Sequence, residues 1–286
     1  MVNWVKARTE AEIVDVIRAH PTVKLVGSDS CGTWRRPVNA SVVLGIESCG
    51  VIEHDVEDQV VVVSAGATIA EVQQALRKRG QCIPLGPNVP DALDRLDDWR
   101  GSVAGQLSLN LPHSLQAECG SWRDWVLGLT IVRPDGTVCK CGSKAVKSVA
   151  GYDVAKLFIG ARGTLGVISQ VILRTFPIRG LPQPDFNLGS GLWSHAGRIQ
   201  RTLSTDFEAA RIAYGDHLIA FNSKGSTLYI SCDVTDQSFR YPGDWQLGWG
   251  LGEANLSIED PTVKRLMERT KTIMDPSRKL NPGEFE

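Results

Sequence analysis

The chain has 286 residues, of which 42% are hydrophobic and 22% are charged, and its formal net charge is -1. These values are typical of a folded globular protein, and the near-neutral charge argues against nucleic acid or an anionic membrane as a partner. The seven cysteines, an odd number, indicate reduced thiols rather than a disulfide framework. Because the chain shows neither a transmembrane-length apolar run nor an N-terminal secretory signal, we expect a cytoplasmic protein that partners could hold at the inner membrane.

The first two helices are predicted from their capping boxes. In "TEAE" (Thr9–Glu12) and "TIAE" (Thr68–Glu71) a threonine stands three residues before a glutamate, and the two side chains can satisfy the free amides of a helix N-terminus. Apolar residues at helical spacing follow each box. We expect the first helix to end at His20-Pro21 and the second at Gly80.

Buried strands are predicted where short apolar runs are bounded by turn residues. A hairpin with a Pro-Asp-Gly turn joins Val126–Val132 to the strand "TVCKC". Cys139 and Cys141 alternate on that second strand and so face the same side, which two small apolar side chains explain more simply than a ligand pair. "YDVAKLFIG" predicts a short helix. The other predicted strands are Val23–Val26, Ser41–Ile46, Gln59–Ser64 and the run "GVISQVILRTFP".

Composition changes after Pro177. The segment "PIRGLPQPDFNLGSG" is rich in proline and glycine, which is typical of a domain boundary. Beyond it the sequence predicts a helix near Asp206–Ala213 and a hairpin in "HLIAFNSKGSTLYISCDV". A Trp-Gly-rich patch, "DWQLGWGLG", follows, and the overlapping segment "GWGLGE" is predicted to be irregular. A last helix, "TVKRLMERTKTIM", is opened by Asp260-Pro261.

The loop Gly27–Thr33, "GSDSCGT", has the glycine and hydroxyl spacing of a Walker A motif, but Thr33 stands where the lysine should be. An acid, Asp29, also lies inside the loop. No G-x-G-x-x-G follows a strand, so a dinucleotide site of Rossmann type is not predicted. G-x-S-x-G and H-E-x-x-H are absent, and the five histidines are isolated, so no metal site is predicted.

Glycine-bearing turns recur between the predicted strands, as "GSDSCGT", "RGSVAG", "ECGSWRD", "SVAGYD" and "ARGTLGVI". Glycine lets backbone amides approach a ligand closely, and clustered amides bind an anion without a lysine because each carries a partial positive charge. Five such turns suggest a long ligand lying in a crevice. Ordinary turns explain the spacing equally well.

The order and wording of longer phrases carry a family resemblance. "SAGATIAEVQQALRKRGQCIPLGP", "GSVAGQLSLN", "CGSWRDWVLGLTIVRPDGTV" and "KAVKSVAGYDVAKLFIGARGTLGVISQVILRTFP" follow one another, and the tail reads "DPSRKLNPGEF". Together they resemble the FAD-binding half of the vanillyl-alcohol oxidase / p-cresol methylhydroxylase superfamily, and within it the E-type FAD-binding subunit of bacterial glycolate oxidase. The resemblance covers about Thr9 to Pro177 and the tail.

The resemblance implies an α+β fold in which two subdomains clasp an extended FAD and a short α+β cap covers the flavin. It divides the chain into an FAD-binding domain (1–178), a cap (179–258) and a C-terminal helix and tail that return to the FAD-binding domain (259–286). Relatives that attach FAD covalently often carry a histidine in the first loop. None is present here, so we expect non-covalent FAD.

The resemblance also implies the cofactor-binding residues. In relatives the first loop cradles the pyrophosphate, the "GSVAG" and "LSLN" segments follow the diphosphate and flavin, "AGYD" and "GTLGVI" approach the adenosine side, and the tail returns near the flavin ring. The implied set is Gly27, Ser28, Asp29, Ser30, Cys31, Gly32, Thr33, Pro87, Ser102, Val103, Ala104, Gly105, Ser108, Asn110, Gly120, Ser121, Asp124, Gly151, Tyr152, Gly166, Val167, Ile168 and Asn281.

Asp29 departs from the family pattern, and Cys82 has two possible interpretations. Asp29 beside a pyrophosphate would cost binding energy, because like charges a few ångströms apart repel by roughly 1 kcal/mol in water and more when partly buried. It must turn outward or meet a cation. Cys82 lies in a region where some relatives form a thioether to flavin, although a plain buried thiol explains it more simply.

Three functions remain open at this stage. The first is an FAD-dependent oxidoreductase that oxidises a 2-hydroxy acid such as glycolate by hydride transfer to flavin. The second is an accessory subunit working with a second flavin subunit and an iron–sulfur subunit, which the short cap and missing metal ligands favour. The third is a degenerate, flavin-free scaffold. No catalytic residue is assigned. Five cap residues are candidates for the substrate side, although a surface charge or a core aromatic explains each of them better: Arg211, Tyr214, His217, Trp245 and Trp249.

Overall fold

A computed structural model describes most of the chain. The described residues are 3–27, 38–85, 101–144, 153–183, 185, 187–188, 197–202, 204–224, 226–231, 245–249, 256–258 and 261–284. Within them the strands form three larger sheets and one short two-stranded pair. The first two sheets and their helices build the surroundings of the candidate site. The third sheet lies within the segment expected to form the cap, and we call it the cap sheet.

The first sheet is parallel, with strand order β1-β3-β2. Its elements are β1 (Asn3–Ala7), α1 (Glu10–Ala19), β2 (Val23–Val26) and β3 (Val42–Ile46). Thr9 caps α1 in a complete capping box with Glu12, as predicted. The apolar side of α1 packs on the sheet, so Ile13 and Ile17 are almost completely buried.

The second sheet is antiparallel, with strand order β4-β5-β9-β7-β8. Its strands are β4 (Val51–Asp55), β5 (Val60–Ser64), β7 (Val126–Val132), β8 (Val138–Gly142) and β9 (Val167–Arg174). A separate short pair joins β6 (Gln81–Cys82) to β10 (Phe176–Pro177). The helices around it are α2 (Ile69–Arg77), α3 (Val103–Leu109), α4 (Gln116–Cys119), α5 (Trp122–Trp125) and α6 (Ala155–Phe158).

The main hydrophobic core lies between this second sheet and its helices. Trp122 and Trp125 are completely buried in it, and their rings meet edge to face at 5.6 Å, an arrangement that aromatic quadrupoles favour. Val103 and Leu107 bring α3 into the same core. The packing therefore fixes α3, whose first turn borders the candidate site.

The cap sheet is antiparallel, with strand order β11-β13-β14-β12-β15-β16. Helix α7 packs against this sheet through Phe207, Ala210 and Tyr214. The cap elements are β11 (Asn187–Leu188), β12 (Gly197–Arg201), α7 (Phe207–Tyr214), a 3₁₀ turn (Gly215–His217), β13 (Leu218–Asn222), β14 (Thr227–Ser231), β15 (Trp245–Trp249) and β16 (Leu256–Ile258).

The C-terminal part of the chain returns to the first sheet. Helix α8 (Pro261–Met274) begins at the proline expected to open it. The following tail reaches the outer edge of β2, where Leu280 forms a parallel bridge with Val23. No helix in the described parts of the chain is long and apolar enough to cross a bilayer.

The predicted elements are largely confirmed. Helices α1, α2, α7 and α8 and the 126–142 hairpin lie where the sequence predicted them. The segment "GWGLGE" was predicted to be irregular, and for its first two residues this prediction was wrong, because they end strand β15, which pairs with β12 and β16. The other four residues lie outside the described part of the chain. Strand β4 and helix α3 were not predicted, since β4 is polar and half-exposed and α3 begins in a glycine turn.

Candidate cofactor site

A crevice opens where the first sheet, the start of α3 and the loop before β9 meet. Three of the five predicted glycine turns contribute to it, namely those at Gly27, Ser102 and Gly166. The described residues that line the crevice are Leu25, Val26, Gly27, Leu44, Ile46, Ala65, Ser102, Ala104, Gly105, Ser108, Gly163, Gly166, Val167 and Ile168. Of the predicted set, eight therefore come together: Gly27, Ser102, Ala104, Gly105, Ser108, Gly166, Val167 and Ile168.

Gly27 ends strand β2 directly against Ser102. A β-carbon at position 27 would lie well inside van der Waals contact with the Ser102 Oγ, and it would meet the Ser102 Cβ at 3.2 Å. Only a residue without a side chain lets these two backbones approach so closely. The same need explains Gly166, where a β-carbon would come within 2.9 Å of the Phe158 ring.

The backbone amides at the start of α3 are mostly used inside the protein. Val103 N donates to Ala67 O at 2.8 Å, and Ala104 N donates to Ala65 O at 3.0 Å. Gly105 N donates to the Ser102 Oγ at 3.2 Å, so Ser102 is the N-cap of the helix. These three N–H groups were predicted to approach an anion, but each of them already donates a hydrogen bond within the protein. The N–H groups of Ser102, Gly163 and Gly166 make no hydrogen bond to any other described residue.

The loop before β9 is held against the end of α3. Gly160 N donates to Leu107 O at 3.0 Å and Arg162 N donates to Ser108 O at 2.9 Å, so the loop caps carbonyls that the helix end leaves unsatisfied. Arg162 adopts a positive φ of 53°, and Gly163 one of 70°. Such a conformation is uncommon for a residue with a side chain and persists only where the surroundings impose it.

The crevice is electrically neutral within the described residues. None of the residues that line it carries a charged side chain. The guanidinium of Arg162 is buried in an ion pair with Glu284 and is not one of the lining groups. An anion placed here would meet backbone N–H groups and the hydroxyls of Ser102 and Ser108, as clustered dipoles allow.

Asn110 lies at the C-terminal end of α3 in a left-handed conformation, with φ 49° and ψ 47°. Its Oδ1 is buried and has no hydrogen-bond partner among the described residues, but Asn110 is not one of the residues that line the crevice. The glycine cradle and the unused amides of the crevice fit a cofactor with an anionic middle.

The predicted residues of the "CGSWRD" segment do not line the crevice. Ser121 and Asp124 form the capping box of α5, with Ser121 N donating to the Asp124 Oδ2 at 2.8 Å. Gly120 O accepts a hydrogen bond from the His113 ring at 3.1 Å. Burial lowers the pKa of His113 to about 3, against the smaller opposite effect of this hydrogen bond. Val103 likewise faces the main core rather than the crevice.

Asn281 is buried beside the crevice rather than lining it. Its Oδ1 accepts from Leu25 N at 2.7 Å and its Nδ2 donates to Arg162 O at 2.8 Å. Both ends of the carboxamide therefore contact the protein itself. The remaining predicted residues lie outside the described part of the chain: Ser28, Asp29, Ser30, Cys31, Gly32, Thr33, Pro87, Gly151 and Tyr152.

Cys82 is a buried thiol on β6 and is not among the residues that line the crevice. Burial raises its pKa to about 11, so the thiol stays protonated near neutral pH and is a poor nucleophile. This environment agrees with a structural cysteine rather than with a flavin linkage.

The cap residues considered for the substrate side lie in three different environments. Arg211 pairs with Glu208 on the surface of α7 and stacks over the Phe221 ring. The Tyr214 hydroxyl donates to the Gln200 Oε1 at 2.5 Å inside the cap core. His217 is exposed on the 3₁₀ turn, and Trp245 and Trp249 lie on β15.

The apolar residues that line one half of the crevice were not predicted from the sequence. Leu25, Val26, Leu44 and Ile46 come from the ends of β2 and β3, where an apolar run signals burial but not a binding surface. Gly163 was within the quoted "ARGTLGVI" turn but was not selected. Among the described residues, no group of histidine, cysteine, aspartate and glutamate side chains could hold a metal ion.

Comparison with known proteins agrees with this geometry. Residues 3–142 match the family model described as an FAD binding domain. The predicted resemblance and the FAD cofactor are thereby confirmed over residues 3–142, which match an FAD binding domain. The predicted α+β fold class is confirmed as well.

Three curated relatives share this region. "D-lactate dehydrogenase (cytochrome), mitochondrial" of Arabidopsis thaliana is 40% identical over 119 residues, which are 42% of this chain and 19% of that protein. "D-lactate dehydrogenase" of Archaeoglobus fulgidus is 29% identical over 49% of this chain and 30% of that protein. "Glycolate oxidase subunit GlcE" of Escherichia coli K12 is 31% identical over 53% of this chain and 41% of that protein. The matched region thus spans less than half the length of each relative.

Proposed function

We propose that this chain is the FAD-binding subunit of an oxidoreductase that oxidises a small 2-hydroxy acid such as glycolate. The observation that carries the proposal is the crevice, where three distant glycine turns of an FAD-binding domain meet around unused amides. The relatives named as D-lactate dehydrogenases and as a glycolate oxidase subunit support the substrate class.

In this proposal the crevice residues divide the work of holding FAD non-covalently. Ser102, Gly163 and Gly166 present N–H groups, and the hydroxyls of Ser102 and Ser108 add polar contacts for the pyrophosphate. Gly27 lets the cofactor backbone approach the end of β2. Leu25, Leu44 and Ile46 exclude water from its apolar parts, which strengthens every polar contact beside them.

When bound, FAD would supply the acceptor for the two electrons and the hydrogen lost from the hydroxyl-bearing carbon of the substrate. Asn110 does not line the crevice, but its buried Oδ1 has no partner within the described residues and in this proposal would accept a hydrogen bond from FAD. The cap would supply the substrate surface. The division into an FAD-binding domain (1–178), a cap (179–258) and a returning C-terminal segment (259–286) is part of this proposal.

The second candidate function is an accessory subunit without catalysis of its own. One observation favours it: within the described residues the crevice contains no histidine, aspartate or glutamate that could move a proton. His113 is buried and its pKa is lowered to about 3, so it is a neutral structural group at pH 7. In this case a second flavin subunit and an iron–sulfur subunit would complete the enzyme.

An absorbance spectrum of the purified protein tests the shared part of both candidates. Bound FAD absorbs in the near ultraviolet and the blue, and titration of the apoprotein should restore these flavin bands with equimolar stoichiometry. A colourless chain that takes up no FAD would contradict both and would favour a flavin-free scaffold.

Anaerobic mixing then separates the two candidates. The FAD-loaded protein is mixed in turn with glycolate, D-lactate and a longer D-2-hydroxy acid. The controls are the L-enantiomers of the two chiral acids and a simple alcohol. Bleaching by one hydroxy acid supports catalysis by this chain. If the flavin stays oxidised with all of them, but is reduced once co-purified partner subunits are added, the accessory role is correct.

A further inference from the structure

The tail after α8 contacts both walls of the crevice through one side chain. The Asn281 Oδ1 accepts from Leu25 N at 2.7 Å, and Leu25 lines the first wall. The Asn281 Nδ2 donates to Arg162 O at 2.8 Å, one residue before Gly163 on the second wall. The two walls belong to different sheets, so this carboxamide spans the gap between the subdomains.

The tail is itself attached to the first wall by a parallel bridge to the edge of β2. Val23 N donates to Lys279 O at 2.8 Å and Asn281 N donates to Val23 O at 2.9 Å. The side chain of Leu280 is completely buried in the first core, where it meets Val167 from β9. Backbone pairing thus fixes the position of Asn281 relative to β2.

A buried polar network fixes the tail to the second wall. The Lys271 Nζ donates to Thr164 O at 2.8 Å, to the Asp275 Oδ2 at 2.6 Å and to Leu280 O at 2.9 Å. Leu280 N returns a hydrogen bond to the Asp275 Oδ2 at 2.8 Å. Because breaking one member would leave another buried and unsatisfied, such a network holds its geometry closely.

A buried ion pair joins the end of the tail to the same loop. Arg162 and Glu284 pair with side chains that are 3% and 0% exposed. The ion pair and the Asn281 contact act on one residue, Arg162, whose positive φ sets the direction of the loop toward Gly163 and Gly166. The tail therefore holds the conformation of the second wall through more than one contact to Arg162.

We propose that the segment Asp275–Glu284, which we call the C-terminal clasp, sets the spacing of the crevice walls, so that Asn281 is a positioning residue for FAD without touching it. The inference rests on the proposed FAD site and goes beyond it, because it assigns cofactor retention to residues outside the crevice. Only a carboxamide fits this role, since one end must accept from an N–H and the other must donate to a C=O.

The test compares Asn281→Asp with a control of similar cost to stability. The introduced carboxylate keeps the shape of the side chain and the bond from Leu25 N, but its second oxygen faces Arg162 O and repels it. We expect the Kd for FAD, from fluorescence titration of the apoprotein, to rise at least about tenfold. Ile13→Ala removes buried contacts in the same core without reaching the crevice, so its Kd should stay within about twofold while its Tm falls.

A second variant and a second measurement guard against misfolding. Glu284→Gln keeps an acceptor for Arg162 but removes the buried counter-charge, and it should raise the Kd for FAD in the same direction. In the apoprotein, hydrogen exchange at Arg162 N–H should be faster in Asn281→Asp than in Ile13→Ala, because only the first variant loses the contact to Arg162 O. A general loss of stability would not produce this difference.

The outcomes separate this inference from the proposed function. If the wild-type chain binds FAD and Asn281→Asp binds it within about twofold, the clasp is overturned and the FAD site stands. An equal loss in Ile13→Ala also overturns it. If the wild-type chain binds no FAD, the proposed function fails, and unchanged exchange at Arg162 N–H in Asn281→Asp would overturn the clasp independently.

Discussion

The FAD-binding half combines a parallel and an antiparallel sheet, whereas the cap has one antiparallel sheet, and the local sequence signals for the two regions also differ. In the FAD-binding half, capping boxes and glycine turns mark where elements begin and end, and the crevice forms where those turns meet. In the cap, strands such as β12 pair with partners distant in sequence, β14 and β15. The FAD-binding half also contains distant pairing, such as β5 with β9, so the difference between the regions lies in the local signals, which mark the first region well and the second poorly.

Polar contacts join the two regions within the described part of the chain. The Asn222 Nδ2 donates to His113 O at 3.2 Å, which joins β13 of the cap to the FAD-binding half. Asp185 N donates to Ser114 O at 3.2 Å, and Lys224 pairs with Glu118 at the surface. The contrast predicts that damage to either region changes stability, but that damage to the FAD-binding half alone changes cofactor affinity.

The largest expected effect comes from one substitution made in both regions. Leu107 in α3 and Leu228 in the cap are each 0% exposed, so Leu→Ala should lower the free energy of unfolding by about 2–5 kcal/mol at either place. Leu107→Ala should also raise the Kd for FAD about tenfold, because α3 lines the crevice. Denaturant unfolding and FAD titration measure the two quantities, and an equal loss of affinity in Leu228→Ala would remove the contrast.

A glycine pair tests the close approach within the crevice. In Gly27→Ala the new methyl group would displace the Ser102 Oγ, and we expect FAD binding to weaken about 30-fold or more, a loss of about 2 kcal/mol. The matched control is Gly45→Ala in the neighbouring strand, where the nearest atom to a new β-carbon is 3.7 Å away. Similar affinities for the two variants, measured by titration, would show that the tight contact does not shape the site.

The junction between the regions should give stability a dependence on pH. His113 has a pKa lowered to about 3 by burial, below the ordinary value of about 6.5, so the unfolded chain binds a proton that the folded chain excludes. Its stabilisation is complete above about pH 6.5 and is lost as the pH falls toward 3. Between pH 7 and 5 this amounts to about 2 kcal/mol.

The check is to compare wild type with His113→Gln in urea unfolding at pH 7, 6 and 5. The variant cannot titrate but keeps a donor for Gly120 O. We expect the wild type to lose about 2 kcal/mol more than the variant across this range. Parallel pH profiles would mean that His113 is protonated in the folded protein.

The smallest expected effect concerns the contact between the regions. Asn222→Ala removes the hydrogen bond to His113 O and should lower the free energy of unfolding by about 1 kcal/mol, with faster proteolysis in the cap and unchanged affinity for FAD. Lys224→Ala removes an exposed ion pair and should have no measurable effect. If the second variant were the more damaging, the surface pair rather than the buried amide would hold the cap in place.

The elements that could be predicted from the sequence differ between the FAD-binding half and the cap in the same way. The capping boxes at Thr9 and Thr68 gave both helix starts correctly, because a cap is a contact between residues three apart in the chain. The cap strand β15 was missed, because its tryptophans and glycines acquire a strand conformation only when β12 and β16 lie beside them. Propensity does not decide such segments.

The candidate site shows the same limit in single residues. Gly27, Ser102 and Gly166 were expected from their turns and lie at the crevice. Asn281 was expected near the flavin ring and is instead bonded at both ends to the protein. Its partners are Leu25 and Arg162, and no sequence pattern links an asparagine to backbone groups more than a hundred residues away.

By itself, the amino-acid sequence determined the family of the first half, the starts of the main helices and the glycine turns that allow close backbone approach. These depend on interactions between near neighbours in the chain and on the steric freedom of particular residues. Only the tertiary structure decided which turns converge, which amides remain unused and how the C-terminal tail joins the two walls. Those outcomes depend on hydrogen bonds and packing between distant segments, whose geometry exists only once the chain has folded.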